Sequence, residues 1–118
     1  MNFASGSQLA QVRPTSTSAE SAYTAEIQTE ISRIVICNTT GTAASFSLYH
    51  DDDGSTFNDD TAIYESKSVP ANDSIDIKSE SVGGGLMVQI GGQVGIKSGT
   101  ANALNFTIYG TTAHLASN

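Results

Sequence analysis

An all-β fold is the class this sequence predicts: an antiparallel β-sandwich, jelly-roll-like, of about eight short strands preceded by an extended N-terminal arm. Three observations predict it. Apolar and polar residues alternate with a period of two along most of the chain. Clusters of Gly, Asn, Asp and Thr break that alternation about every ten residues. No segment carries a sustained helical period with start and stop signals.

Residues 1–19 form the arm, and residues 20–118 the β-sandwich domain. In the arm Phe3, Leu9 and Val12 are isolated apolar residues, and Arg13 and Pro14 head the polar run Thr15, Ser16, Thr17, Ser18. So little apolar surface does not fold alone. Ordering the arm therefore requires main-chain hydrogen bonds, such as an extended segment makes when it adds to a sheet edge of another subunit. Residues 8–13 suit that pairing, because Pro14 has no N–H and ends it. Phe3, Leu9, Val12 and Arg13 are accordingly the candidate interaction residues. The alternative is an arm folded back on its own domain.

The strands follow. The sequence predicts them at 20–27, 31–38, 45–50, 61–67, 74–78, 86–90, 94–97 and 104–109, each bounded by turn residues. Pro70, Asn72 and Asp73 make a turn with one φ angle locked by the proline ring. Glycines 83–85 and 91–92 bracket the strand at 86–90. Alternation places Ile34, Ile36, Phe46, Leu48, Ile75, Ile77, Leu86, Val88, Ile90, Leu104, Phe106 and Ile108 in the core.

Composition bounds the function. A chain of 118 residues is one domain. With 38% hydrophobic residues and no Trp its core is thin, and burying surface between copies is a standard remedy. A homo-oligomer, a trimer, is the expectation. Five Lys and Arg face 12 Asp and Glu. Nucleic acid and anionic membrane surfaces are both excluded as partners, since phosphate neutralisation needs cations this chain lacks. Strands rich in Ser and Thr, where Lys and Glu are usual, suit faces packed against like subunits. Cys37 is the single cysteine, so no intramolecular disulfide forms, and its apolar neighbours predict a buried small hydrophobe. The N-terminal residues lack the positive and apolar regions of a signal peptide.

No catalytic constellation emerges, and no enzyme activity, cofactor or metal is expected. Five of the acids lie at Asp51, Asp52, Asp53, Asp59 and Asp60. Aligning Gly54 with the glycine of a twelve-residue calcium loop puts Tyr49 where the first carboxylate belongs. A solvated, exposed acidic hairpin tip is the plainer reading, an irregular calcium site the other. His50 and His114 are the two histidines, with neither a nucleophile elbow nor an oxyanion-hole motif near them. The glycines at 83–85 lead into a strand and not a helix N-terminus, so they are turn glycines and no phosphate cradle. Asn38, Asn72 and Asn105 open Asn-x-Ser/Thr triplets that read as turn chemistry.

One resemblance goes further. The run Arg33-Ile-Val-Ile-Cys-Asn38-Thr-Thr-Gly41-Thr-Ala leads into Phe46-Ser-Leu-Tyr-His-Asp51-Asp-Asp-Gly54 and later Val69-Pro-Ala-Asn72. With the closing segment from Gly95 to Gly110, it resembles small all-β virion proteins of tailed bacteriophages, in which a strand and turn of the form I-x-I-x-N-x-T-G leads to an aromatic strand and an acidic tip. The match spans roughly residues 31–110, leaving the arm outside it. The resemblance implies a structural protein of the virion, assembled in the host cytoplasm. It implies a capsid decoration (cement) protein bound to the major capsid protein, or alternatively a neck, tail or spike-base subunit bound to other virion structural proteins. It carries over no active-site residue.

Overall fold

The computed structural model describes residues 7–78 and 86–113. Among the described residues every regular element is a strand: β1 (Ser7–Val12), β2 (Glu20–Thr24), β3 (Thr29–Asn38), β4 (Ala44–Asp51), β5 (Ala62–Val69), β6 (Ser74–Lys78), β7 (Leu86–Val88), β8 (Gln93–Ser98) and β9 (Leu104–Thr112). They form two antiparallel sheets. The first has the order β1-β9-β3-β6, with β7 also on β3; the second has the order β2-β8-β4-β5. The pairs nest, first strand with last, second with β8, β3 with β6 and β7, and β4 with β5. A long antiparallel ribbon wrapped round itself in this way is a jelly roll. Its sixth and seventh strands share one edge: β6 pairs with residues 33–37 of β3 and β7 with residues 29–31, end to end.

The core lies between the sheets. β9 keeps strict alternation, burying Leu104, Phe106 and Ile108, while β4 contributes Phe46 and Leu48. Phe46 and Phe106 meet edge to face across the gap, with ring centroids 6.2 Å apart, joining the sheets at their centre. β3 departs from alternation, because Ile31 and Ile34 both point inward although three positions apart. A bulge at Ser32 absorbs the extra residue: Ile31 pairs with Gly110 and Arg33 with Tyr109. β8 adds Val94 and Ile96, and Val69 closes the end of β5.

Three expectations need correction. Ile90 is 70% exposed, because β7 ends at Val88 and the chain turns at once, with the Gly92 N–H bonding to the Gln89 carbonyl oxygen. Cys37 is half-buried on the outer face, since its neighbours Ile36 and Asn38 take the inward-facing and end positions. Asp51 is buried, for reasons given below. Ile75 and Leu86 are half-buried but pack against the core.

The arm, from Ser7, is a strand. β1 pairs antiparallel with β9, from Ser7 opposite Gly110 to Val12 opposite Phe106, with a bulge at Leu9. The pairing stops where Pro14 follows, and the edge it joins belongs to its own chain. Leu9, Ala10 and Val12 rest against the core, so the arm is tied by three small apolar contacts as well as by main-chain bonds.

Candidate functional site

The strand–turn that carries the resemblance resolves into one buried amide. Asn38 is 1% exposed at the end of β3. Its Nδ2 donates to the carbonyl oxygens of Thr42, at 2.9 Å, and of Val69, at 3.1 Å. Its Oδ1 accepts from the Thr40 N–H at 2.9 Å and from the Thr40 hydroxyl at 2.8 Å. All the hydrogen-bonding capacity of the side chain is thus spent holding the β3–β4 turn against the end of β5. The neighbouring turns join the mesh. The Asn38 N–H bonds to the Asp73 carbonyl, the Asn72 N–H to that of Thr40, and the Thr39 N–H to that of Ala103. Asn72 and Asn102 take positive φ of 55° and 60°, a conformation Asn tolerates better than most side chains. Turn chemistry therefore accounts for Asn38 and Asn72.

Of the four candidate interaction residues, the structure brings three together at β1. Arg13 reaches into the same mesh: Nη1 donates to Thr39 Oγ1 at 3.0 Å and to Asn105 Oδ1 at 3.1 Å, and Nη2 to the Asn102 carbonyl oxygen. Pro14 is buried beside it and accepts from the Asn102 N–H. Arg13 is thus the root that fastens the arm to its own body. Leu9 and Val12 are half-buried along β1, and Phe3 lies outside the described residues.

The opposite end carries the acidic tip, at the close of β4. Asp51 is 7% exposed and accepts from the Thr56 N–H through Oδ2, at 2.8 Å, and from the Asp53 N–H through Oδ1, at 3.1 Å. Hydrogen bonding to the Asp53 carboxyl, and then to those two N–H groups, holds the Asp51 carboxyl below its ordinary range. The shared hydrogen bond and the Asp51 charge push Asp53 up. Asp52 bonds His50 Nε2 at 2.8 Å and accepts from the Gln89 N–H at 3.0 Å, tying the tip to the β7–β8 turn. His50 is thereby paired with a carboxylate, and no serine or cysteine nucleophile hydrogen-bonds to it; His114 lies outside the described residues. Among the described residues no group of three or more His, Cys, Asp or Glu is disposed to hold a metal ion.

Outside the two ends, the outer face of the first sheet is open. Gln11, Thr107, Val35 and Asp76 lie along it in register from edge to edge. Its charged residues are Arg33 and Asp76, paired at 2.8 Å with the guanidinium 5.9 Å from the Tyr109 ring centre, together with Lys78 opposite Arg33 and Glu30 opposite Met87. An apolar cleft between Ile34, Leu48, Ile63 and Tyr64 encloses about 10 Å³, room for roughly one water. It is a packing gap and not a ligand site.

No protein-family model matches the chain, and no curated protein or solved structure matches it. The fold and the side-chain arrangement therefore carry the functional reading. Sequence reasoning missed Phe57, which stands alone between polar residues in the acidic loop. Its one signal is its partner, a glycine at 95 where β8 otherwise continues with side chains.

Proposed function

We propose that this chain is a structural protein of a tailed-bacteriophage virion, a capsid decoration protein that binds the major capsid shell as a homotrimer and stabilises it. The observation that carries the reading is the strand–turn from Ile34 through Asn38 to Gly41, leading by an aromatic strand to the Asp51–Gly54 tip, set in a jelly roll. Fold alone does not assign function, since jelly rolls serve lectins and cupins as well as capsid proteins. Two further features support a subunit made for packing. The row from Gln11 through Thr107 and Val35 to Asp76 on the outer face of the first sheet holds one charge, Asp76, which Arg33 pairs, so burying that row strands little charge. β1 is an edge strand with no charged residue between Ser7 and Val12, so its unpaired side is open to a strand of a neighbouring copy.

The test is binding to particles. Purified protein is added to capsids lacking it, and bound copies are counted by densitometry while shell survival is followed on heating. Decoration predicts a copy number comparable with that of the major capsid protein and a raised shell melting temperature. A few copies confined to one vertex would instead assign the chain to the neck, tail or spike base. No binding to any virion component would end the proposal. Deleting residues 2–6, ahead of β1, should leave a folded domain that binds shells poorly; wild-type occupancy would remove those residues from the attachment.

A further inference from the structure

An outward-facing side chain on a two-sheet sandwich ordinarily meets water. On β4 three do not. Ser47, Tyr49 and Asp51 face away from the core, opposite Lys97, Gly95 and Gln93 of β8, yet they are 3%, 3% and 7% exposed. Ser47 is sealed by the β5 bulge, where Ser66 at φ 52° donates its N–H to the Ser47 hydroxyl. Tyr49 is sealed by the loop. The Phe57 ring lies against it with centroids 6.0 Å apart and planes inclined by 35°. The same ring fills the space that a Cβ on Gly95 would occupy. Gly95 is therefore the floor of a socket and Phe57 its plug.

The plug is independent of the core. Neither Phe57 nor Tyr49 belongs to the apolar cluster between the sheets, and residues 52–60 lie in no strand. Besides Phe57, the loop is held by carboxylate bonds: Asp51 to the Asp53 and Thr56 N–H groups, and Asp52 to His50 and to the Gln89 N–H. Thr61 closes it, accepting from the Asn58 N–H and donating to the Thr56 carbonyl oxygen. We propose that residues 52–60 are a detachable strap. Docked, Phe57 plugs the notch floored by Gly95 and walled by Tyr49; undocked, an aromatic-sized apolar hollow opens on the outer face of the second sheet while the two sheets remain packed.

Site-resolved amide exchange on the full chain tests this. The Asp53 and Thr56 amides should be protected roughly tenfold or more over a free chain, yet open far more often than those of Ile36 and Phe106, as a sub-global unit does. Phe57→Ala should abolish protection at Asp53 and Thr56, leave Ile36 and Phe106 unchanged, and raise nitration of Tyr49 several-fold. Gly95→Ala should do the same, because the new Cβ displaces the ring. Loss of protection at Ile36 and Phe106 together with the loop in Phe57→Ala would overturn the strap, because the loop would then belong to the global unit. Unchanged protection at Thr56 in that variant, or a Tyr49 no more reactive than before, would overturn the plug. Should Gly95→Ala fail to fold, Phe57→Ala decides alone.

Discussion

At the end of the sandwich where β3 closes, three turns and the root of β1 are stitched by a buried amide and a guanidinium into the ends of core strands. At the other end, where β4 closes, a longer loop folds back over a sheet and is held by one aromatic ring and a few carboxylates. Both ends satisfy their polar groups. They differ in what the hydrogen bonds hold. Asn38 ties its turn to the carbonyl of Val69, the buried end of core strand β5, so releasing it opens the core. Asp51 bonds backbone that belongs to the loop, so releasing it opens only the loop. Hydrogen bonding thus yields a global clamp at one end and a local latch at the other.

The sharpest way to break that contrast is to delete Asn38. In Asn38→Ala the carbonyl oxygens of Thr42 and Val69 lose a buried donor, and unsatisfied groups of this kind cost about 1–3 kcal/mol each. Urea denaturation should show a loss of about 2–4 kcal/mol in a single transition. Asn38→Asp should be worse, because it sets a carboxylate against two carbonyl oxygens. A cost under about 1 kcal/mol for Asn38→Ala would mean that the mesh is no clamp.

The counterpart at the acidic end is Phe57→Ala. A half-buried phenyl ring contributes about 1 kcal/mol, and here the loss should appear as loop opening and leave the denaturation midpoint of the sandwich within error. A global loss as large as that of Asn38→Ala would erase the distinction between the ends.

The mesh end was legible in the sequence and the strap was not, for a physical reason. Turns announce themselves through Pro70, Asn72 and Asp73, whose backbone preferences are local, and alternating strands announce a sandwich through Phe46, Leu48, Phe106 and Ile108. Bulges break that local logic: Ser32 hides the pairing of Ile31 with Ile34 as inward residues, and Leu9 hides β1 as a strand. Ile90 was misplaced because its alternation runs on past the residue where the backbone turns. The Phe57–Gly95 fit is a contact between residues far apart in the chain, and an acidic loop with one phenylalanine gives no local sign of it. Arg13 was legible as an interaction residue, but its partners Thr39, Asn102 and Asn105 were not.

Arg13→Ala sharpens the comparison on a smaller scale. The side chain is exposed, so its three hydrogen bonds are partly replaced by water and their loss should cost about 0.5–1 kcal/mol. The distinguishing readout is local: amides of β1 facing β9 should lose protection while those of β3 do not. If β1 stays as protected as in the wild type, the pairing with β9 and the seats of Leu9 and Val12 hold the arm without its root.

The smallest effect separates the ends by pH, and its sign follows from two carboxyls that shift in opposite directions. Asp51 is held low when the strap is docked, so its contribution is full above its undocked pKa and is lost as pH falls through the docked value. Asp53 is raised, so its contribution is full below its undocked pKa and fades as pH rises through the docked value. The pair titrates together. Docking should therefore be strongest in the window between the two, about the ordinary carboxylate range near pH 4, and weaker on either side. The other groups facing the loop are His50, bonded to Asp52 within it, Gln89 from the β7–β8 turn, and Gln93 and Lys97 from β8. Protection of the Thr56 amide, divided by its intrinsic exchange rate at each pH, should trace a maximum. Asp53→Asn should remove the flank at higher pH and keep the acid flank, whereas Asp51→Asn should flatten both. At the other end the stitching is by amides, hydroxyls and a guanidinium charged throughout, so the protection of Thr39 and Asn102 should not follow that maximum. A Thr56 profile that rises steadily to neutral pH, in the wild type and in Asp53→Asn alike, would show that Asp51 latches the strap alone.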